Sequence, residues 1–414
     1  MRSRSLILAA AFVAAISAHR PAQASVTYLD FSGFDARMGD LATSAGIASF
    51  SSGELASIRS GIQSGLESAY SDFTAMSFTS SLPTGTFSTL RFGRTDAGGT
   101  LGRAQHIDFR NRDQADVADV FSSNFDFIVN EFSGSTGRAA QLSQLTTALA
   151  GTAVHELGHN LGLRHHDAYS EVTYTGTSVA TGGSQNAYYM ATGSTGLSET
   201  GRESARTFST NSVVKLEYAQ GTLAVNPVKI DEGADAGGTT ATARTVDLES
   251  LPVSGRLGEV IAGEIAASGD VDVFRIDGSQ VGDFLTADIN NDYADGLAPS
   301  SIVDSILTVF AADGTTILGT NDDTLYSTTA FGSGTTRDLD SILYNIPTIR
   351  GQDVFIQVRG FSTTSGAYEL LVHTDGQINM TMIPEPSSMM LMSGIAVLGG
   401  LGCCIRKRFQ RSVA

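Results

Sequence analysis

The chain has 414 residues, 41% of them hydrophobic, a formal net charge of −17, and seven histidines but no tryptophan. That length exceeds one ordinary core and argues for two domains with flanking segments, while the acidic excess argues against nucleic acid or anionic membrane as a partner. Both cysteines, Cys403 and Cys404, lie in an apolar tail, so the folded part has no disulfide and no thiolate for a metal.

Residues 1–24 read as a secretory signal peptide. Arg2 and Arg4 form the basic start, Leu6–Ile16 the apolar run, and Ala22-Gln23-Ala24 the small-x-small site cut by signal peptidase before Ser25. The apolar run is too short to span a membrane. Val26–Phe31 then alternates as a strand does. Ser51 and Glu54 form a capping box for a helix whose Leu55, Ile58, Ile62, Leu66 and Phe73 make an apolar stripe. Strands are expected at Ser88–Phe92, Gln105–Phe109 and Phe125–Glu131, with loops at Gly98-Gly99 and along the charged run Arg110–Asp116. Gln105–Phe109 is the better candidate for an exposed sheet edge that an extended substrate could join, and Phe125–Glu131 is the other.

A helix expected from about Ser143 to Leu163 carries Ala150, Val154, Leu157 and Leu161 on one face, opposite His155 and His159. One side of it is thereby anchored in a core and the other faces a cleft. Four of the seven histidines fall within His155–His166. His155 and His159, four apart, stack one turn above each other, so their imidazoles can converge on one ion. Gly162 lets the chain leave the helix and swing back with His165 as a third ligand. Three nitrogen ligands leave a tetrahedral position open, the mark of a catalytic zinc. Zinc so held activates a water, and Glu156 beside the first histidine is placed to take its proton and pass it to a leaving amine. No serine or cysteine nucleophile signature competes.

His155-Glu156-x-x-His159-x-x-Gly162-x-x-His165 resembles the extended zinc motif of the metzincin metalloendopeptidases. Met190, in Tyr188-Tyr189-Met190-Ala191-Thr192-Gly193, looks like the methionine that in this family turns beneath the zinc. The resemblance implies an α+β catalytic domain over 25–222, a twisted mixed sheet with long helices, in which Met190 is an apolar floor and not a ligand. Two positions depart from the family's variants. Thr192 stands where some members carry a tyrosine ligand, and His166-Asp167 after the third histidine fits no named subfamily. His166 is expected to be a surface neighbour, and Asp167 is a weak candidate to accept from a ligand imidazole. With no cysteine ahead of the tail, a thiolate that caps the zinc in a latent form is excluded.

After a linker at 221–227 the composition shifts to Asp, Gly and Thr. Strands are expected at Val271–Ile276, Phe284–Ile289, Ser305–Phe310, Ile342–Ile346, Val354–Arg359 and Tyr368–Val372. That spacing suggests an antiparallel β-sandwich. Through Gly269–Phe274, Asp304–Phe310, Asn321-Asp322-Asp323 and Gly366–Leu370 the segment 232–375 resembles the bacterial pre-peptidase C-terminal domain, an all-β accessory sandwich. Its role is left open between matrix binding and spacing. Asp270, Asp272, Asp322 and Asp323 are candidate calcium ligands, with ordinary turn roles as the alternative.

At 384–408, Pro384-Glu385-Pro386 precedes the apolar Met389–Ile405 and the basic Arg406-Lys407-Arg408. This order resembles the PEP-CTERM sorting signal of Gram-negative bacteria. It implies exosortase processing and delivery to the cell surface or extracellular matrix, with membrane contact only through this segment. The expected function is a secreted zinc-dependent endopeptidase acting on protein or peptide. The alternative is a non-catalytic surface or matrix protein that uses a metzincin fold for binding.

Overall fold

The computed structural model describes residues 25–130, 137–169, 171–173, 185–192, 197–220, 228–229, 237–291, 301–323 and 339–376. The expected signal peptide, the linker at 221–227 and the tail at 384–408 lie outside them.

Strands β1 (Ser25–Asp30), β2 (Met76–Thr79), β3 (Ser88–Arg91), β4 (Gly102–Ala104) and β5 (Val117–Val120) form one sheet in the order β2-β1-β3-β5-β4. Its first four members run parallel, and β4 lies antiparallel at the edge. Alternation along β1 buries Ser25, Thr27 and Leu29 and leaves the residues between them half-buried. Helices α1 (Phe34–Ser44) and α2 (Ser52–Ala69) follow β1. Ser51 and Glu54 close the expected capping box on α2, whose Leu55, Ile58, Ile62 and Leu66 enter the core.

Two expected strands are absent. Phe125–Glu131 instead carries the short helix α3 (Asp126–Asn130), because Phe125, Ile128 and Val129 are spaced to bury on one helical side. Gln105–Phe109 leaves the sheet after one more ladder bond, from Gln105 N–H to Val117 O. The chain then turns through left-handed backbone at Arg110 and Asn111. The strand next to the edge is β5, which follows directly on the charged run and is not among the expected strands.

The motif helix is α4 (Arg138–Asn160), five residues longer at its start than its apolar stripe predicts. Arg138 anchors that start by an ion pair to Glu54 and by lying over the Phe50 ring. From Ala148 to Asn160 every residue is buried, so the expected open face is in fact covered. On the opposite, apolar side, glycines on α2 let the two helices close up: a Cβ on Gly61 would stand 2.5 Å from Thr146 Cγ2, and one on Gly65 2.8 Å from Ala150 Cβ. The two short helices α5 (Glu199–Arg202) and α6 (Thr210–Ala219) complete this half.

The second half contributes β6 (Val228–Lys229), β7 (Arg244–Val246), β8 (Glu249–Leu251), β9 (Arg256–Ile265), β10 (Val271–Ile276), β11 (Phe284–Ile289), β12 (Ser305–Phe310), β13 (Ile317–Asn321), β14 (Ile342–Pro347), β15 (Val354–Gly360) and β16 (Gly366–Thr374). They form two sheets, β13-β12-β15-β10-β7 and β14-β11-β16-β9-β6, with β8 added beside β9. Phe274, Ile276, Leu307, Val309 and Ile356 of the first share a core with Leu285, Ala287, Leu343, Leu370 and Val372 of the second. All six expected strands are present; β9, the long partner of β16, is an addition to them.

The outward side of the second sheet is also covered. Period-two alternation turns Asp288, Tyr344, Leu371 and His373 away from the shared core, and all four are buried. Leu371 joins Val260 and Leu251 in a cluster with Phe109, Val214 and Tyr218 of the first half. Glu369 pairs with Arg110 and Arg112 across the same boundary.

Candidate metal centre

Helical geometry sets His155 and His159 one turn apart at the buried end of α4. The helix stops at Asn160 because Gly162 takes a left-handed conformation, φ +90°, that lets Leu163 N–H return to Gly158 O at 2.9 Å. The same glycine meets another chain segment closely: a Cβ there would lie 2.5 Å from Phe109 Cα. The short 3-10 helix His165–Tyr169 then brings His165 back over the helix.

The three Nε2 atoms form a triangle with sides of 3.0, 3.1 and 3.2 Å. His155 Nδ1 donates to Tyr189 O and His159 Nδ1 to Leu163 O, each at 2.7 Å, since a carbonyl can only accept. Both rings therefore point a bare Nε2 lone pair into the triangle. Burial, ahead of any neighbouring charge, holds the proton affinity of His155 and His165 well below normal and lowers His159 to about 4, so all three are neutral. Lone pairs so close without a proton between them call for a cation. Zinc with nitrogen ligands at about 2.05 Å in tetrahedral geometry needs ligand atoms roughly 3.3 Å apart, and the triangle is close to that. The donor set fits.

Glu156, next in sequence to the first of these histidines, lies under the edge strand. Leu101 O accepts from Phe121 N–H and Gln105 N–H bonds Val117 O, so the backbone of Gly102 and Ala104 faces away from β5. Ala104 N–H donates to the Glu156 carboxylate, yet burial outweighs it and lifts the carboxyl to about 8 in the absence of a cation. A bound divalent ion opposes that rise. Arg202, on α5, is near enough to act on the charges of His155, Glu156 and His165. It also borders a 680 Å³ cleft with Asp96, Gly99, Leu101, Asn124 and Leu197, at the start of the edge strand.

Met190 is buried against α4 at Gly158, which lies between His155 and His159 in the chain: a Cβ on Gly158 would lie 2.9 Å from its Sδ. The preceding carbonyl, Tyr189 O, orients His155 and also accepts from Arg206 Nη1 at 3.3 Å. Sequence reasoning singled out neither Arg202 nor Arg206, and isolated arginines give no signal for it.

Two expectations change. His166 is buried, not a surface neighbour, with its Nε2 3.7 Å from Asp167 Oδ1. Asp167 receives Arg164 N–H, Lys215 Nζ, Asn211 Nδ2 and the Tyr344 hydroxyl. His166, Asp167 and Asp288 come close enough to suggest a second metal group. However, the Lys215 ammonium lies 2.9 Å from both carboxylates and already supplies the positive charge.

The four candidate calcium ligands do not assemble as one set. Asp322 and Asp323 gather with Asp304. Asp270 accepts from Ala266 and Val271 N–H in its own turn, and Asp272 accepts from the Tyr368 hydroxyl. No helix among the described residues is long and apolar enough to cross a membrane.

No protein-family model matches the chain, and no curated protein matches it.

Proposed function

We propose that the protein is a secreted, zinc-dependent metalloendopeptidase of metzincin type, an α+β catalytic unit followed by an all-β sandwich of pre-peptidase C-terminal kind and a surface-sorting tail. One observation carries the catalytic reading: three neutral imidazoles converge their Nε2 atoms beside a buried carboxylate that lies under a sheet edge. His155, His159 and His165 would hold the ion. Zinc, when bound, supplies Lewis acidity that lowers the pKa of a water and polarises a carbonyl.

The chain's own residues account for the rest. Glu156 as carboxylate accepts the proton of the attacking water and, as the acid, returns it to the leaving amine, so the bond is cut with no covalent attachment to the protein. Burial raises that carboxyl's proton affinity, which favours taking the water's proton, and the return step is driven by the leaving amine being the stronger base. The outward backbone of Gly102 offers an extended peptide its ladder bonds, while Ala104 N–H steadies Glu156. The nearby Arg202 guanidinium favours negative charge developing at the site. Met190 and Tyr189 O support the helix and one ring, which fixes ligand direction before substrate arrives.

Cleavage of a proteome-derived peptide library, with and without a zinc chelator, tests the reading. Glu156→Gln is expected to retain zinc and lose about 10²- to 10⁴-fold in rate. Undiminished cleavage by that variant would overturn the mechanism, and zinc binding without cleavage by the wild type would favour a binding module.

A further inference from the structure

His155 and His159 are fixed by the helix that carries them, but His165 sits past its end, in a single 3-10 turn. The groups that hold this turn come largely from outside it. On one flank, Arg164 Nη1 donates to Ile289 O at 3.0 Å and Nη2 pairs with Asp340. On the other, the Asp167 carboxylate accepts from the Tyr344 hydroxyl at 2.7 Å, Lys215 Nζ at 2.9 Å and Asn211 Nδ2 at 3.0 Å. Lys215 and Asn211 are themselves held by Asp288 Oδ2, at 2.9 and 3.0 Å. Ile289, Asp340, Tyr344 and Asp288 all belong to the second half of the chain, and the side chains of Asp167, Lys215, Asp288 and Asp340 are fully buried.

We propose that Asp288 and Tyr344 are positioning residues for His165, acting through Lys215 and Asp167, so that the two-sheet unit completes the metal centre instead of trailing behind it. This rests on the reading of the three histidines as metal ligands. Buried ion pairs are a poor device for stability alone, since apolar packing of the same volume does as well or better. They are directional, however, and this network grips the residues on both sides of the third ligand. Partners that hydrogen-bond a ligand directly are worth about 10- to 100-fold in metal affinity, and this network acts one step further out, on the backbone that carries His165.

The test uses the full chain as wild type, Tyr344→Phe, Asp288→Asn and, as a comparison, Glu217→Gln. Glu217 also lies buried at the boundary, accepting from Val253 and Ser254 N–H, but contacts nothing in 164–169 by these bonds. Zinc affinity is measured by chelator competition, and ligand geometry by the visible absorption of the cobalt-substituted protein. Tyr344→Phe and Asp288→Asn are expected to bind zinc more weakly, by up to about 10-fold, the lower end for a direct ligand partner, and to shift the cobalt bands. Glu217→Gln is expected to lower the unfolding temperature and leave the bands in place. If Asp288→Asn does not fold, Tyr344→Phe, which removes one hydroxyl and keeps the ring, decides. Wild-type affinity and bands in folded Tyr344→Phe would overturn the proposal and leave the ligand reading standing. A wild type that takes up neither metal would overturn both.

Discussion

Gly102 and Glu156 meet so closely that a methyl group on Gly102 would lie 2.5 Å from Glu156 Oε1 and 2.5 Å from its Cγ. The edge strand thus has no room for a side chain where it crosses the motif helix. Gly102→Ala is expected to push the carboxylate off its line and reduce kcat/KM at least 10-fold, with zinc content unchanged, because the three atoms nearest the new methyl all belong to Glu156. Peptide cleavage measured alongside metal analysis checks this. Loss of zinc together with activity would show that the strand supports the ion and not the base.

Met190 fills the space beneath the motif helix against Gly158. Replacement by leucine keeps the volume and is expected to cost under about 1.5 kcal/mol. Replacement by alanine leaves a cavity beside the ligands and is expected to cost roughly 2–5 kcal/mol. Urea unfolding of the metal-free protein separates the two; equal losses would mean that the thioether does more than fill space.

Glu259, on β9, is buried near Tyr218, and burial followed by the charge of Glu249 lifts its carboxyl from 4.5 to about 7. The folded chain therefore holds this proton at pH values where the unfolded chain has released it. Stability falls as pH rises from 4.5 through 7 and is flat with respect to this group beyond. Glu259→Gln should melt close to the wild type at pH 4.5 and above it at pH 8. A gap that stays constant across this range would place the carboxylate in a less buried setting.

The sequence was most legible where local chemistry decides the structure. The capping box at Ser51 and Glu54, the turn at Gly162 and the regular strands around Val271, Phe284 and Ser305 needed only neighbours in the chain. The four-residue spacing of His155 and His159 likewise predicts shared direction on any helix. Legibility stopped where distant segments compete. Gln105–Phe109 has strand-like residues, but Asp108 N–H goes to His159 O and Phe109 packs into the boundary with the second half, so the edge ends at Ala104. His166 and Asp167 look like surface polar residues because the partners that bury them, Lys215, Asp288 and Tyr344, are up to 177 residues away. Gly102, one glycine among 45, carries no mark of the carboxylate it admits.

The sheet β14-β11-β16-β9-β6 has no free face, since one side closes the core it shares with the other sheet and the opposite side meets α6 and the chain around Phe109. A unit seated this way cannot swivel on a tether. The edge strand above Glu156 and the sheet β13-β12-β15-β10-β7 therefore keep a constant bearing to one another. Any surface that the distant sheet rests on would see the cleft at a single angle, so for the proposed endopeptidase the direction of substrate entry would be set by the architecture before any substrate side chain is read.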